Sequence, residues 1–184
     1  MSGAPEQLSP FATGNGAPGH ADARRQIDEL FKQHSAFVAR LVFRLLGRND
    51  EVDDIVQDVF VGLFRGLERM RHPQAMRAWL MTTAVRMVRR RLRVRRIGFL
   101  LRRGQRVDPM ELSTHAPSTE DAMALRTIHL ALGRVSVDAR LAWVLRYLEQ
   151  EEVEEIARVL ACSRATAKRR IAEAQAEIKK ALHA

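Results

Sequence analysis

Basic side chains at helical spacing near the C-terminus carry the strongest chemical signal in this chain. Arg164, Lys168, Arg169 and Arg170 follow Ser163, whose hydroxyl is suited to cap the N-terminus of a helix. Guanidinium and ammonium groups bind phosphate oxygens, and the arginine fork also matches the edge of guanine. These residues therefore could bind a polyanion, and nucleic acid is the first candidate.

The residues around this basic run predict a helix-turn-helix. Small residues at 161–163 interrupt one helical pattern, and a second pattern starts after the predicted cap. The apolar positions that would pack the two helices together are Ile156, Ala157, Leu160, Ala167, Ile171 and Ala174. Such a motif offers the first residues of its second helix to a DNA major groove. The same pattern also fits an ordinary helical hairpin with a solvated basic face.

A second concentration of arginine lies in the middle of the chain. Between Glu68 and Asp108 the sequence has no acidic residue and thirteen arginines. Periodicity predicts a helix over residues 74–93, and the side chains opposite its apolar face are Trp79, Thr82, Thr83, Arg86, Arg89, Arg90 and Arg93. Cations can follow phosphates while an aromatic ring stacks on a base. Trp79 fits equally well as a residue that closes the core.

The preceding predicted helix, which starts at Asn49 or Asp50, has an acidic side. Asp53, Asp54, Gln57 and Asp58 gather there, opposite an apolar face. The pattern fits a solvated face whose carboxylates favour the helix N-terminus. It fits equally well a docking surface for a basic partner.

Composition limits the class of protein. Lys and Arg number 31 against 22 Asp and Glu, which gives a net charge of +9 and favours a nucleic acid over an anionic membrane surface as partner. A single cysteine, Cys162, excludes an internal disulfide framework. We find no glycine-rich phosphate loop, no metal-ligand spacing and no nucleophile with its base. We expect an intracellular, noncatalytic protein without metal, cofactor or stable membrane insertion.

The order of patterns predicts an all-α fold of two small helical domains joined by a flexible basic linker. We expect a disordered arm at 1–22, a helical domain at 23–96, a linker at 97–119 and a helix-turn-helix domain at 120–184. The first helix should end at Gly47. In the C-terminal domain one helix should start at Ser118 or Thr119 and another should cover 138–149, with Leu130 and Leu148 among their core contacts.

Three motifs in order resemble one family. DDIVQDVF at 53–60, RAWLMTTAVRMVRRRLR at 77–93 and LRYLEQEEVEEIARVLACSRATAKRRI at 145–171 resemble the extracytoplasmic-function sigma factors of bacterial RNA polymerase. The resemblance covers residues 30–96 and 122–182. It implies a cytoplasmic bacterial protein that directs promoter-specific initiation. Its implied partners are core polymerase, through the β′ clamp helices and the β subunit, promoter DNA, and an anti-sigma factor.

The resemblance also assigns roles to residues. Those implied to bind core polymerase are Asp53, Asp54, Gln57 and Asp58, with Phe60 in the packing. Those implied to hold the downstream (minus-10) element are Trp79, Thr83, Arg86, Arg89, Arg90 and Arg93, after a base-receiving loop at 69–74. For the upstream (minus-35) element, the implied readers are Arg164, Ala165, Lys168 and Arg169, with Ser163, Thr166 and Arg170 on phosphates.

The sequence departs from the family pattern in both of its predicted DNA-binding helical regions. Arg86 and Arg90 stand where Asn and Asp are usual, so we expect either a different downstream element or promoter melting that depends more on charge. Ala161 stands where a turn glycine is usual, so we expect the alanine either to tolerate a strained conformation or to reshape the turn. A stand-alone helix-turn-helix regulator is the alternative, and it leaves the acidic face and the Trp79 helix unexplained.

Overall fold

The structure, a computed structural model, describes residues 20–66, 76–101 and 119–183. Every regular element within these three ranges is an α-helix, which confirms the predicted fold class. In chain order they are α1 (His20–Leu46), α2 (Val52–Gly66), α3 (Met76–Leu101), α4 (Thr119–Arg134), α5 (Val137–Tyr147), α6 (Val153–Val159) and α7 (Arg164–Leu182). Most of the predicted arm and linker, and the predicted base-receiving loop, lie outside the described residues.

Helices α1, α2 and α3 form an N-terminal bundle in which each helix packs on the other two. Its core is built from the apolar stripes that periodicity predicts, because helical spacing brings residues three and four apart onto one face. The fully buried residues of these stripes include Leu41, Leu45, Ile55, Leu63 and Leu80. The stripes therefore leave the opposite faces of α2 and α3 outside the core of this bundle.

The boundaries of this bundle are set by recognisable signals. Helix α1 ends at Gly47, whose φ of +67° is left-handed and whose N–H donates to the Phe43 carbonyl at 2.7 Å. Helix α2 begins with Asp53 and Asp54 in its first turn, where carboxylates favour the positive end of the helix dipole. Helix α3 continues to Leu101, beyond the residue at which the linker is predicted to start.

Helices α4 to α7 form a C-terminal bundle around α7, on which α4, α5 and α6 all pack. Helix α5 is capped by Ser136, whose hydroxyl accepts the N–H of Ala139 at 3.1 Å. Trp143 is buried, and its Nε1 donates to Gln175 Oε1 of α7 at 2.7 Å. This bond fixes the rotation of α5 against α7.

For two residues of this bundle, the prediction that they lie in the core is wrong. Leu130 is 46% exposed and Leu148 is 37% exposed. Helix α5 ends at Tyr147, because the chain turns there and the N–H groups of Glu149 and Glu151 donate to carbonyls of α5 at 3.1 and 2.9 Å. Leu148 therefore leaves the helical stripe that periodicity assigns to it.

The two bundles are in contact, and their buried apolar residues join into one continuous cluster. Helix α5 contacts α1 and α3, and α6 contacts α3. Across the described residues, no helix has an apolar stretch of the length needed to cross a bilayer.

Candidate nucleic-acid interface

Helices α6 and α7 form the predicted helix-turn-helix. Ile156 and Leu160 on one side and Ala167 and Ile171 on the other are buried between or beneath them. Ser163 has extended backbone angles, and its hydroxyl accepts the N–H of Thr166 at 3.1 Å. The cap satisfies a donor that the helix itself leaves open, so α7 starts at a defined residue.

Of the two outcomes expected for the turn between these helices, the structure has the strained alanine. Ala161 has a φ of +49°, in the left-handed region that side chains with a Cβ rarely adopt. The N–H groups of Ala161 and Cys162 donate back to the carbonyls of Arg158 and Ala157 at 3.2 and 2.9 Å. These bonds hold the turn closed although the glycine typical of this position is missing.

The first two turns of α7 present most of the predicted upstream readers to solvent. Arg164, Ala165, Lys168 and Arg169 are exposed. Arg164 forms an ion pair with Glu154 of α6, which orients its guanidinium along the outer face. The hydroxyls of the cap and of Thr166 lie 2.9 Å apart at the same end of the helix. A major groove could therefore receive this end of α7 without rearrangement of the bundle.

Arg170 differs from the other basic residues of α7. It is half-buried, and its Nη2 lies 2.9 Å from Asp138 Oδ2 at the start of α5. Periodicity placed Arg170 with the solvent-facing cations, but its side chain reaches an internal carboxylate. The acid is distant in sequence, so the pattern of α7 alone contained no signal for this contact.

On α3 the predicted downstream face divides into three parts. Arg86 and Arg90 are exposed and form no ion pair with any residue that the structure describes. Trp79 and Thr83 are half-buried, and Trp79 packs against the apolar core. A Cβ at Gly62 of α2 would lie 3.9 Å from Trp79 Cη2, so the two helices approach closely beside the ring. This packing favours the core interpretation of Trp79.

Arg89 and Arg93 form the third part, and both bind Asp138 of the C-terminal bundle. Arg89 donates from Nε to Oδ1 at 2.6 Å and from Nη2 to Oδ2 at 2.7 Å, a bidentate pair. Arg93 Nη2 lies 3.4 and 3.3 Å from the same two oxygens. Burial raises the pKa of Asp138, but the hydrogen bonds and charge of Arg89, with the charges of Arg170 and Arg93, leave its pKa below the ordinary value.

The acidic side of α2 borders an apolar groove that the sequence did not predict. Asp53, Asp54, Gln57 and Asp58 are all exposed. Beside them, α1 and α2 enclose a groove of about 670 Å³ lined by Ile27, Asp28, Phe31, Asp53, Val56, Gln57, Phe60, Val61 and Phe64.

Aromatic side chains supply much of the groove's apolar surface. Phe60 is buried and meets the exposed Phe31 edge to face, with ring centroids 4.8 Å apart. Val61 and Phe64 are 42% and 43% exposed, although large apolar residues are usually covered. The sequence signal that could have indicated the groove is the presence of apolar residues on both sides of α2.

Within the described part of the chain, no group of His, Cys, Asp and Glu could hold a metal ion.

The comparisons with known proteins identify the family. Residues 30–97 match sigma-70 region 2, and residues 125–177 match sigma-70 region 4. The ECF RNA polymerase sigma factor SigE of Mycolicibacterium smegmatis is 32% identical over 159 residues, which are 84% of this chain and 61% of that protein. The chain belongs to the ECF sigma factors.

Further relatives and solved structures agree with this assignment. The RNA polymerase sigma-H factor of Pseudomonas aeruginosa is 28% identical, with 86% of this chain and 87% of that protein covered. The structure of CnrH in complex with the cytosolic domain of CnrY has a TM-score of 0.58 at 25% identity and covers 89% of this chain and 94% of that one. RpoE of Bartonella quintana, solved with the anti-sigma factor NepR, shares the fold with a TM-score of 0.67 at 19% identity, covering 86% and 98% of the two chains.

The sigma-factor assignment connects the surfaces described above. Region 2 contains the acidic side of α2, the groove and α3, and region 4 contains the helix-turn-helix. The stand-alone regulator is not favoured, because it gives no role to region 2.

Proposed function

We propose that this sigma factor binds core RNA polymerase through α2, holds the downstream promoter element with α3 and reads the upstream element with α7. The polymerase performs the chemistry, so the chain itself is noncatalytic, and it works in the bacterial cytoplasm. The observation that carries the proposal is the pairing of two surfaces in one chain. An exposed acidic face borders an apolar groove in region 2, and a preformed helix-turn-helix lies in region 4.

The polymerase surface has the two properties that a protein interface needs. Asp54, Gln57 and Asp58 provide a polar rim that carries two negative charges, while Phe31 and Phe64 provide exposed apolar area beside it. Interfaces usually combine an apolar centre with a polar rim, and opposite charges speed association. We therefore propose that the β′ clamp helices bind this surface, with Phe60 supporting it from beneath. The β subunit would contact other parts of the sigma factor.

The duplex-reading surface consists of the first two turns of α7. Lys168 and Arg169 project from them with Arg164, and buried apolar residues hold the helix against α6. We assign Arg164, Ala165, Lys168 and Arg169 to base edges of the upstream element. Ser163 and Thr166 lie at the capped helix end, where backbone N–H groups favour phosphate.

The downstream surface consists of the exposed part of α3. Arg86 and Arg90 lie one helical turn apart and can follow consecutive phosphates of a separated strand, with Thr83 on the same side. Extrusion of a base costs a few kcal/mol, least at easily unpaired steps. Cationic contacts to the displaced strand would offset part of that cost, and Trp79 would support the helix from below.

An anti-sigma factor is a further expected partner. Two similar solved structures are complexes, one of RpoE with the anti-sigma factor NepR and one of CnrH with the cytosolic domain of CnrY. The groove of region 2 offers apolar surface that a competitor of polymerase could also cover. Competition between the two partners for this groove would then link the inducing signal to transcription.

The proposal is tested by runoff transcription with core polymerase plus this chain on a pool of genomic fragments. We expect transcripts that start at a small set of sites and that disappear when the chain is left out. Random starts at the level of core polymerase alone, from a protein shown to be folded by circular dichroism, would contradict the proposal.

The polymerase surface has its own test. Asp54→Lys combined with Asp58→Lys should abolish binding to core polymerase while leaving helicity intact, because both carboxylates are exposed on α2. The matched control is Glu173→Lys with Glu177→Lys, which makes the same charge change at the same spacing on α7. Equal loss of binding in the two double variants would show that net charge, not this face, determines affinity.

A further inference from the structure

Glu154 is the one acidic side chain that contacts a proposed base reader of α7 among the residues that the structure describes. It belongs to the first turn of α6, and it forms an ion pair with Nη2 of Arg164, the first residue of α7. The two residues stand on different helices, and the helix-turn-helix brings them together. The proposed duplex-reading surface is therefore not purely basic.

This ion pair faces outwards. The side chain of Glu154 is 56% exposed and that of Arg164 is 65% exposed. Lys168 and Arg169 are exposed as well, and within the described ranges neither of them has a carboxylate partner. Arg164 is thus the one proposed base reader whose charged group is already held before DNA arrives.

Stability of the fold gives only a weak reason for the pair. An exposed ion pair contributes little to the free energy of unfolding, because water and salt screen it. Arg164 also lies in the first turn of α7, where a cation meets the positive end of the helix dipole. An arginine at this position is therefore better explained as a contact to a ligand than as a support of the helix.

The shape of the guanidinium allows Arg164 to bind a base while Glu154 holds it. An arginine fork can donate two parallel hydrogen bonds to O6 and N7 of guanine. Nη2 carries two N–H groups, one on each edge of the fork, so a single contact to Glu154 leaves one edge free for the base. A side chain that is already held also loses less conformational entropy when it binds.

The charge of Glu154 acts against phosphate contacts of the same arginine. Phosphate oxygens are anionic, whereas the edges of bases in the major groove are neutral. If Arg164 turned to a phosphate, the carboxylate of Glu154 would approach that phosphate and repel it. At a base edge the carboxylate meets no like charge. Contacts to the wrong partner therefore carry an extra cost, which raises specificity.

We propose that Glu154 is a positioning residue of the upstream reader, which directs Arg164 to the edge of a guanine and keeps it from phosphate. The inference rests on the proposed function, because it requires α7 to read duplex DNA. Glu154 then lowers the affinity for DNA of any sequence and raises the preference for one base pair. Removal of its carboxylate should separate these two properties, since the affinity rises while the preference falls.

The test uses the full chain bound to core polymerase and a pool of duplexes of random sequence. Sequencing of the bound duplexes gives the preference at each base pair, and filter binding gives the affinity for the whole pool. We expect the wild type to prefer guanine at one base pair by roughly 5- to 150-fold, which corresponds to one bidentate contact. Arg164→Ala should remove this preference. Glu154→Ala should lower it at the same base pair by roughly 2- to 12-fold, which corresponds to the ordering of one long side chain, and should tighten binding to the pool.

Glu155→Ala is the matched control for charge. Glu155 follows Glu154 in the same turn of α6, but it binds Arg158 of its own helix, whose Nε donates to Oε2 at 2.9 Å. Its loss makes the same charge change and leaves Arg164 paired. Glu155→Ala should tighten binding to all sequences and leave the preference at every base pair unchanged. Circular dichroism and thermal unfolding of the two variants should match, which excludes damage to the fold.

A double variant shows whether Glu154 acts through Arg164. In the Arg164→Ala background, Glu154→Ala should change no base preference, because the side chain that it positions is gone. A further change in that background would mean that Glu154 itself contacts a base, and the positioning role would be rejected.

The outcomes separate this inference from the proposed function. If Arg164→Ala removed a wild-type preference that Glu154→Ala and Glu155→Ala both left intact, the positioning role alone would be overturned and α7 would remain a duplex reader. If the wild type showed no base preference at all, duplex reading by α7 would fail, and this inference would fail with it.

Discussion

Helices α3 and α7 have similar arginine-rich faces, but the two faces differ in how many of their arginines bind groups inside the protein. On α7 the predicted base readers are exposed, and only Arg170 turns inward. On α3 the exposed Arg86 and Arg90 alternate with Arg89 and Arg93, which bind Asp138 of the other bundle. The proposed duplex reader, α7, is therefore preformed, while half of the cationic face of α3, the proposed single-strand reader, is engaged within the protein.

The difference follows from the neighbours of each helix. The outer face of α7 is bounded by α6, which offers it one surface acid, Glu154. The face of α3 lies beside α5, whose first turn offers the buried carboxylate of Asp138. An exposed ion pair contributes little, whereas a buried, bidentate pair is costly to break from one side. Under the proposed function, the DNA contacts of Arg89 and Arg93 on α3 would therefore require these arginines to leave Asp138 first.

The largest effect should follow loss of a base contact on α7. Lys168→Ala should weaken binding to the upstream duplex by about 1 to 3 kcal/mol, because the ammonium is exposed in the second turn. Arg164→Ala should cost less than Lys168→Ala, since Arg164 already has Glu154 as a partner. Fluorescence anisotropy on the upstream duplex measures both losses.

The control for these variants is Lys180→Ala, an exposed lysine at the far end of the same helix. It should leave the affinity for the upstream duplex close to that of the wild type. If Lys168→Ala weakened binding equally on every sequence, Lys168 would be a phosphate contact and the assignment of base readers would need revision.

On α3 the exposed and the engaged arginines should give different salt dependences. Arg90→Ala should reduce the slope of log affinity against log salt for a single-stranded oligonucleotide by about 1, because it removes one phosphate contact. Arg89→Ala should change the slope less, since the wild-type side chain must first leave Asp138. Titration at several salt concentrations tests this, and equal slopes for the two variants would remove the distinction between these arginines.

Most of the fold could be predicted from sequence, because it depends on local patterns. The buried stripes of α1 to α3, the Gly47 helix end and the Ser163 cap all follow from residues within one or two turns. At Ala161 the sequence indicated an unusual turn, because glycine is the usual residue there, and the structure decided for a strained alanine over a reshaped turn.

The contacts of the arginines were not predictable in this way. The partners of Arg89 and Arg140 are 49 and 95 residues away, and helical periodicity carries no information on which distant carboxylate or carbonyl meets an exposed-face cation. The groove between α1 and α2 could not be predicted for the same reason. Phe31 is apolar, but it is exposed at the groove, and its exposure depends on how α1 and α2 pack against each other.

A smaller effect is expected from the cap of the recognition helix. Ser163→Ala should lower the free energy of unfolding by about 1 kcal/mol, because Thr166 N–H loses its acceptor at the start of α7. It should also weaken binding to the upstream duplex and leave single-strand binding by α3 unchanged. Thermal unfolding gives the stability change. The matched control is Ser136→Ala, which removes the same kind of cap from α5 at the same 3.1 Å distance. A loss of single-strand binding in Ser163→Ala would mean that the two readers are not independent.

The smallest effect concerns the turn before α7. Ala161→Gly should raise the free energy of unfolding by up to about 1 kcal/mol, since a left-handed φ of +49° is unfavourable for alanine and open to glycine. The added entropy of glycine in the unfolded chain offsets part of this gain. Because residue 161 is exposed, the change should not disturb packing, and affinity for the upstream duplex should stay constant. Gly47→Ala is the contrasting variant: its left-handed position is buried against His129, so stability should fall. Denaturant unfolding gives the free energy of unfolding of both variants. A less stable Ala161→Gly protein would show that this turn is not strained.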